Sequence, residues 1–137
     1  MTAVFDASVV VRWYVDDVLS LDALSMRADL GAAIAPMLLT AEVANAFRRY
    51  VVHGAMPVET ATENLKTVSS IVTLVDHQPL LQPAFDLACD RNHSVHDCLY
   101  IALARRQKIP LATADAKLAR KFQDLPGLEL RAIKRRN

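Results

Sequence analysis

Four acidic residues at distant positions are the ones whose type and spacing suggest chemistry. Asp6 and Asp115 each follow a short apolar run typical of a buried strand, and Glu42 and Asp97 each lie in the first turn of a predicted helix. Carboxylates held within a few ångströms repel, and some must keep protons unless a cation lies among them. Such hard oxygen ligands suit Mg²⁺ or Mn²⁺ rather than zinc. If the fold brings the four acids together, they predict metal-dependent hydrolysis of a phosphate ester.

The elements that must position these acids alternate between short apolar runs and longer helical stretches. We predict strands at 3–5, 33–35, 71–75, 109–113 and 128–132, and helices at 9–15, 21–30, 40–53, 57–70, 79–92, 95–107 and 114–122. This alternation predicts an α/β fold, a three-layer sandwich whose mostly parallel central sheet has helices on both faces. Ligands of such sheets bind beyond the carboxyl ends of the strands, which is where this assignment puts all four acids.

Each acid also has a purely structural explanation. Ser94 and Asp97 fit a capping box at the start of one helix, and Glu42 and Asp115 lie where an acid favours a helix N-terminus. Asp6 can cap the turn that follows it, although we expect Ser8 to cap the first helix. The residue pattern alone leaves both interpretations open for every acid.

Four segments of the chain together resemble a known family. They are Val4–Ser8, Glu42–Ala46, His96–Ala104 and Leu111–Leu118. In this order and spacing they resemble the PIN-domain proteins, in particular the VapC-type toxins of bacterial and archaeal toxin–antitoxin systems. The resemblance spans nearly the whole chain and implies a single PIN-like domain over residues 1–137. It further implies a ribonuclease that leaves 5′-phosphate and 3′-hydroxyl ends.

The resemblance also implies roles for the acids. Asp6, Glu42, Asp97 and Asp115 are expected to hold one or two magnesium or manganese ions. Asp6 and Asp97 would be the firmest ligands, while Glu42 and Asp115 would act through bound water or orient the attacking water. No separate organic cofactor is expected.

Two further residues and two partners follow from the same resemblance. Thr113 is expected to fix the geometry of Asp115, and Asn45, one helical turn after Glu42, to support that acid. A cognate VapB-like antitoxin and a homodimer are the expected protein partners, and RNA is the expected substrate. The stripe formed by Val10, Trp13 and Tyr14 is expected to pack in the core, or in part to receive the antitoxin.

Composition places limits on the class of protein. Residues 1–104 carry a net charge of −6 and residues 105–137 one of +7, so a basic segment accompanies the acids, as a polyanionic substrate would require. Arg48 and Arg49 are candidate phosphate contacts, and the basic tail at 134–136 either binds RNA or frays. The chain shows no signal peptide and no membrane span, so we expect a cytoplasmic protein whose cysteines, Cys89 and Cys98, are packed thiols.

Three alternative functions remain to be separated. His96 and Asp97 form the adjacent pair of an HD-type phosphohydrolase, but that class is all-helical. An aspartyl-phosphate phosphatase would use Asp6 as its nucleophile, but Ser8 occupies the position where its general acid belongs. The third alternative is a PIN-like module that binds RNA or protein without cleavage.

Overall fold

A five-stranded sheet forms the centre of the computed structural model, which describes residues 1–133. Its strands are β1 (Thr2–Phe5), β2 (Ala32–Pro36), β3 (Val72–Val75), β4 (Leu111–Thr113) and β5 (Leu130–Ala132). They lie in the order β3-β2-β1-β4-β5, and every pair is parallel. The predicted α/β class is confirmed, and a parallel sheet excludes the all-helical alternative.

Seven helices connect the strands within residues 1–133. They are α1 (Ala7–Val10), α2 (Ser20–Leu30), α3 (Leu39–Val52), α4 (Val58–Ile71), α5 (Leu81–Arg91), α6 (Val95–Gln107) and α7 (Ala116–Phe122), with single 3₁₀ turns at Val11–Trp13 and Gln78–Leu80. The chain steps from β1 to β2 and β3 in one direction and to β4 and β5 in the other. Right-handed crossovers then place α1–α4 on one face and α5–α7 on the other, which makes three layers.

The point where the strand order reverses, between β1 and β4, is where open parallel sheets bind ligands. The amide of Val4 donates to the carbonyl of Pro110 (2.8 Å), and the amide of Asp6 donates to that of Ala112 (3.1 Å). These bonds tie the carboxyl end of β1 to β4. Asp6 directly follows β1, and Thr113 is the last residue of β4, so both residues lie at the reversal point.

Helix α6 lies at the core of the molecule. Seven consecutive residues, Cys98–Ala104, are buried, because α6 packs on β1, β2 and β4 and also against α5. A helix that is buried on all sides has no freedom to rotate. Asp97 immediately precedes this run, so the packing of the core fixes its backbone.

The first helix differs most from its prediction. A helix over 9–15 capped by Ser8 is wrong: α1 spans Ala7–Val10, a 3₁₀ turn follows, and Asp6 is the N-cap, accepting from the amide of Val9. The hydroxyl of Ser8 is not free to cap because it donates to the carboxylate of Asp6. The structural explanation for Asp6 is therefore confirmed alongside its position at the sheet edge.

The remaining element ends lie within two residues of the prediction. The fourth strand begins at Leu111 rather than at 109 because the amide of Ile109 bonds to the carbonyl of Ala104 and closes the end of α6.

Of the two thiols, Cys98 is buried as predicted, whereas Cys89 is exposed. Within residues 1–133 no helix is both long and apolar enough to cross a membrane. The basic tail at 134–136 lies outside the described residues.

The stripe on the first helix is used for packing. Val10 is fully buried, and Trp13 meets Phe5 edge-on at 5.1 Å. The indole N–H of Trp13 also donates to the carbonyl of Ala23 (3.0 Å). Tyr14 meets Phe47 edge-on at 5.5 Å. These contacts support the packing interpretation of the stripe.

Candidate active site

Asp6 is a buried carboxylate that accepts three hydrogen bonds. Its side chain is among the few buried polar groups, at 6% exposure. Oδ1 accepts from the Ser8 hydroxyl and the Val9 amide, and Oδ2 accepts from the Thr113 hydroxyl. Burial raises the pKa of Asp6 to about 6, although the bonds from Ser8 and Thr113 act in the opposite direction. Ionisation of Asp6 therefore lowers the free energy of unfolding of the metal-free protein.

Two hydroxyl groups connect Asp6 to the end of β4. Thr113 Oγ1 accepts from the amide of Asp115 (3.0 Å), and Ser8 Oγ accepts from the amide of Ala114 (2.8 Å). Thr113 contacts both acids, because its hydroxyl donates to Oδ2 of Asp6 and accepts from the backbone amide of Asp115. It reaches Asp6 because it ends β4 directly beside the end of β1. Its expected role in fixing the geometry of Asp115 stays a prediction.

Glu42, in the first turn of α3, is held by a tyrosine of α6. The Tyr100 hydroxyl donates to Oε1 of Glu42 at 2.5 Å, across 58 positions of sequence. Burial raises the pKa of Glu42, the bond from Tyr100 lowers it, and the charge of Asp97 raises it. The sequence analysis did not identify Tyr100 as a site residue. Its position three residues after Asp97 on one helix is the signal that was available.

Asp97 is held at both its backbone and its side chain. Its amide donates to the Ser94 hydroxyl (3.2 Å), so the predicted cap of α6 is confirmed. Nε2 of His93 lies 2.7 Å from Oδ2 of Asp97. The His93 ring in turn meets Phe122 edge-on at 5.1 Å. His93 was missed because it precedes the helix, where helical spacing has no predictive value.

Three of the four predicted acids share one electrostatic environment. The charge of Asp97 raises the pKa of both Asp6 and Glu42. Burial raises the pKa of the Tyr100 hydroxyl, and the charges of these same three acids raise it further. Asp97 therefore repels both Asp6 and Glu42, and the charges of all three acids act on one tyrosine.

Asp115 is placed differently. Its Oδ1 accepts from the amides of Lys117 (3.0 Å) and Leu118 (3.1 Å), which makes it the N-cap of α7. The structural explanation for this acid is confirmed. Its connection to the other acids runs through its backbone amide, which bonds to Thr113 and through that hydroxyl to Asp6.

The carboxylate oxygens of the site suit a cation that needs few protein ligands. Within the described residues, Asp97 Oδ1, Glu42 Oε2 and Asp115 Oδ2 receive no hydrogen bond. In the same part of the chain, no three His, Cys, Asp or Glu side chains form a ready-made metal cage. Zinc requires three or four protein ligands. Magnesium keeps several waters and is often bound by one or two carboxylates, so the carboxylates present fit Mg²⁺ or Mn²⁺.

A cavity of about 690 Å³ opens beside Glu42. Its polar lining is Ser8, Arg12, Glu42, Asn45, Arg49 and His53. Arg12 is anchored there, with Nη1 donating to the carbonyl of Ser8 (2.6 Å) and Nε 3.2 Å from Asp17. Two arginines beside an acidic centre can hold the phosphates of a polyanion while the acids act on one of them.

Asn45 lies one helical turn from both Glu42 and Arg48. It lines the same cavity as Glu42, and its side-chain oxygen accepts from Nε of Arg48 (3.3 Å). Its expected role in supporting Glu42 stays a prediction. Of the two arginines proposed as phosphate contacts, only Arg49 lines this cavity.

The fold and part of the sequence match known proteins. The chain is 36% identical over 87 residues to Ribonuclease VapC1 of Mycobacterium tuberculosis, a match that covers 62% of this chain and 64% of that protein, less than two thirds of its length. A solved structure from Pyrobaculum aerophilum superposes with a TM-score of 0.72 at 20% identity, covering 95% of this chain and 92% of the other. A toxin–antitoxin complex from Klebsiella pneumoniae gives a TM-score of 0.66 at 16% identity, covering 92% and 94%.

The family is established by a match to a sequence profile. The sequence profile of the PIN domain matches residues 3–122, which is most of the chain and includes all four acids. This protein therefore belongs to the PIN domain family.

Proposed function

We propose that the protein is a magnesium- or manganese-dependent ribonuclease that hydrolyses RNA phosphodiester bonds. The observation that carries the proposal is that the charge of Asp97 acts both on Asp6, which lies at the reversal point of the sheet, and on Glu42. Glu42 is also bonded to Tyr100 of α6, the helix that carries Asp97. A divalent cation is the natural counter-charge for such a cluster. The similarity to a ribonuclease and the two arginines beside Glu42 support RNA as the substrate.

The acidic quartet supplies the proposed metal ligands. Asp6 and Asp97 would bind the ion most directly, with Glu42 and Asp115 acting through water. When bound, the ion activates a water molecule and neutralises charge that develops on the phosphate. The unbonded oxygens of Asp97, Glu42 and Asp115 leave each of these acids one acceptor for the ion or its waters.

The chain's own groups complete the reaction. Arg12 and Arg49 hold the phosphates on either side of the scissile bond. Glu42, whose pKa is raised by burial, takes a proton from the attacking water at Oε2. The water oxygen bonds to phosphorus, the bond to the 3′ oxygen breaks, and that oxygen gains a proton. The products are a 5′-phosphate and a 3′-hydroxyl.

We further propose that the ribonuclease is the toxin of a toxin–antitoxin pair. A cognate antitoxin would cover the cavity beside Glu42, the working form would be a homodimer, and the enzyme would act on RNA in the cytoplasm. Support comes from the similarity to a protein named as a VapC ribonuclease and from a fold shared with a toxin–antitoxin complex. One domain over residues 1–137 would carry the whole activity.

Sequencing of RNA ends tests the activity. Purified wild type and Asp97→Asn are incubated with total RNA in Mg²⁺, in Mn²⁺ and in EDTA. We expect metal-dependent 5′-phosphate ends from the wild type and a loss of at least about 100-fold in the variant. Asp29→Asn, an exposed change on α2, is the matched charge control. RNA binding without cleavage by the wild type would favour the alternative, a non-catalytic binding module.

A further inference from the structure

Two acids of the site share one bonding pattern. Glu42 receives the Tyr100 hydroxyl on Oε1, and Asp97 lies against His93 through Oδ2. In each case the second oxygen receives no hydrogen bond from a described residue. Rotation of a carboxylate about its last torsion is soft, because the wells of that torsion are broad. A donor fixed on one oxygen therefore determines where the other oxygen lies.

His93 is held firmly enough to act as such a donor. Its side chain is 8% exposed, and its amide donates to the carbonyl of Ala88 (3.0 Å) after Asn92 ends α5 in the left-handed conformation. Phe122 packs edge-on against the ring. An ionised carboxylate only accepts hydrogen bonds, so Nε2 must carry the proton in the bond to Asp97. The ring thus has a fixed position and a defined tautomer.

Asp97 is the acid whose charge acts on the other groups of the cluster. After burial, it is one of the causes that raise the pKa of Asp6, Glu42 and Tyr100. Ser94 fixes the backbone of Asp97 but not its carboxylate. Of the described residues, only His93 bonds to that carboxylate. Orientation of the central acid therefore rests on one imidazole.

We propose that His93 is a positioning residue that holds Oδ2 of Asp97, keeping Oδ1 available for a divalent cation, and that Tyr100 does the same for Glu42. The inference rests on the proposed function for the existence of the cation. Groups that orient metal ligands change metal affinity or activity by about 10- to 100-fold when they are removed. Neither residue needs to touch the substrate for this effect.

The test measures Mn²⁺ binding to the metal-free full chain by isothermal titration calorimetry. We expect His93→Leu, which keeps an apolar contact with Phe122, to bind Mn²⁺ about 10- to 100-fold more weakly. His93→Gln should recover most of the affinity, because its amide nitrogen reaches the position of Nε2 and can donate. Tyr100→Phe removes one hydroxyl and should weaken binding in the same direction.

Val68→Ala is the matched control, because it removes buried apolar contacts of α4 without touching any of the acids. It should lower thermal stability and leave Mn²⁺ affinity unchanged. Equal affinity in wild type and His93→Leu would overturn the inference alone, as would an equal loss in Val68→Ala. A wild type that binds no Mn²⁺ would overturn both the inference and the proposed function. If His93→Leu does not fold, His93→Asn, whose amide is too short to reach, takes its place beside His93→Gln.

Discussion

Replacement of Asp6 by asparagine should stabilise the metal-free protein at neutral pH. Burial raises the pKa of Asp6 from 3.8 to about 6, so the folded protein holds this proton more tightly than the unfolded chain does. Unfolding then releases a proton, and stability falls as the pH rises through this range. The loss is absent below about pH 4, develops between about 4 and 6, and is complete above about 7.

The size of the effect follows from the same values. A change from 3.8 to about 6 corresponds to about 3 kcal/mol of unfolding free energy when Asp6 is fully ionised. Asparagine avoids the ionisation but turns an amide toward the hydroxyls of Ser8 and Thr113, which costs about 1 kcal/mol. The net expectation for Asp6→Asn is a gain of about 2 kcal/mol at pH 8 and a loss of about 1 kcal/mol at pH 4.

Urea unfolding in EDTA, followed by the fluorescence of the single tryptophan, Trp13, measures both values. Asp29→Asn serves as the control, because its exposed side chain should change stability by less than about 0.5 kcal/mol. If Asp6→Asn were less stable than the wild type at pH 8, or changed stability equally at pH 4 and pH 8, the burial argument would be refuted. If the site trades stability for function, Asp6→Asn should be more stable than the wild type and inactive.

Two further predictions concern the same network. Thr113→Val removes the donor to Asp6 and leaves the amide of Asp115 without its acceptor, so it should lower the free energy of unfolding in urea by about 2–4 kcal/mol. Thr113→Ser keeps the hydroxyl and should stay within about 1 kcal/mol of the wild type. Similar losses in both variants would mean that the methyl group matters, not the hydroxyl. Asp97→Asn should lower the pKa of Asp6, measured by carbon NMR of the carboxyl groups, because a repelling charge is lost. An unchanged Asp6 pKa would place the two acids too far apart to share a cation.

Much of the fold was predictable because polar and capping residues mark the ends of strands and helices in the sequence. Asp6 ends the first apolar run, and Ser94 begins the helix that carries Asp97, as the structure confirms. Parallel strands follow from apolar runs separated by helices, so the position of Asp6 at the carboxyl end of a strand in a parallel sheet was also predictable. The first helix was misplaced because the hydroxyl of Ser8 bonds to Asp6, and the fourth strand because the amide of Ile109 closes the end of α6.

The contacts that orient the acids were not predictable from local spacing. Tyr100 reaches Glu42 across two helices, and His93 lies in a loop between α5 and α6. Thr113 was expected to act on its sequence neighbour Asp115, and its further bond to Asp6 forms because β4 lies beside β1. Each of these bonds depends on tertiary packing, which sequence periodicity does not encode.

The most direct measurement is the position of manganese in a crystal of the full chain, located by anomalous scattering. The proposed function predicts a peak bound by Asp97 Oδ1 and Asp6 at the reversal point between β1 and β4, with Glu42 near its waters. Manganese bound elsewhere on the protein, or none at saturating concentration, would contradict the claim that these acids form a cation site.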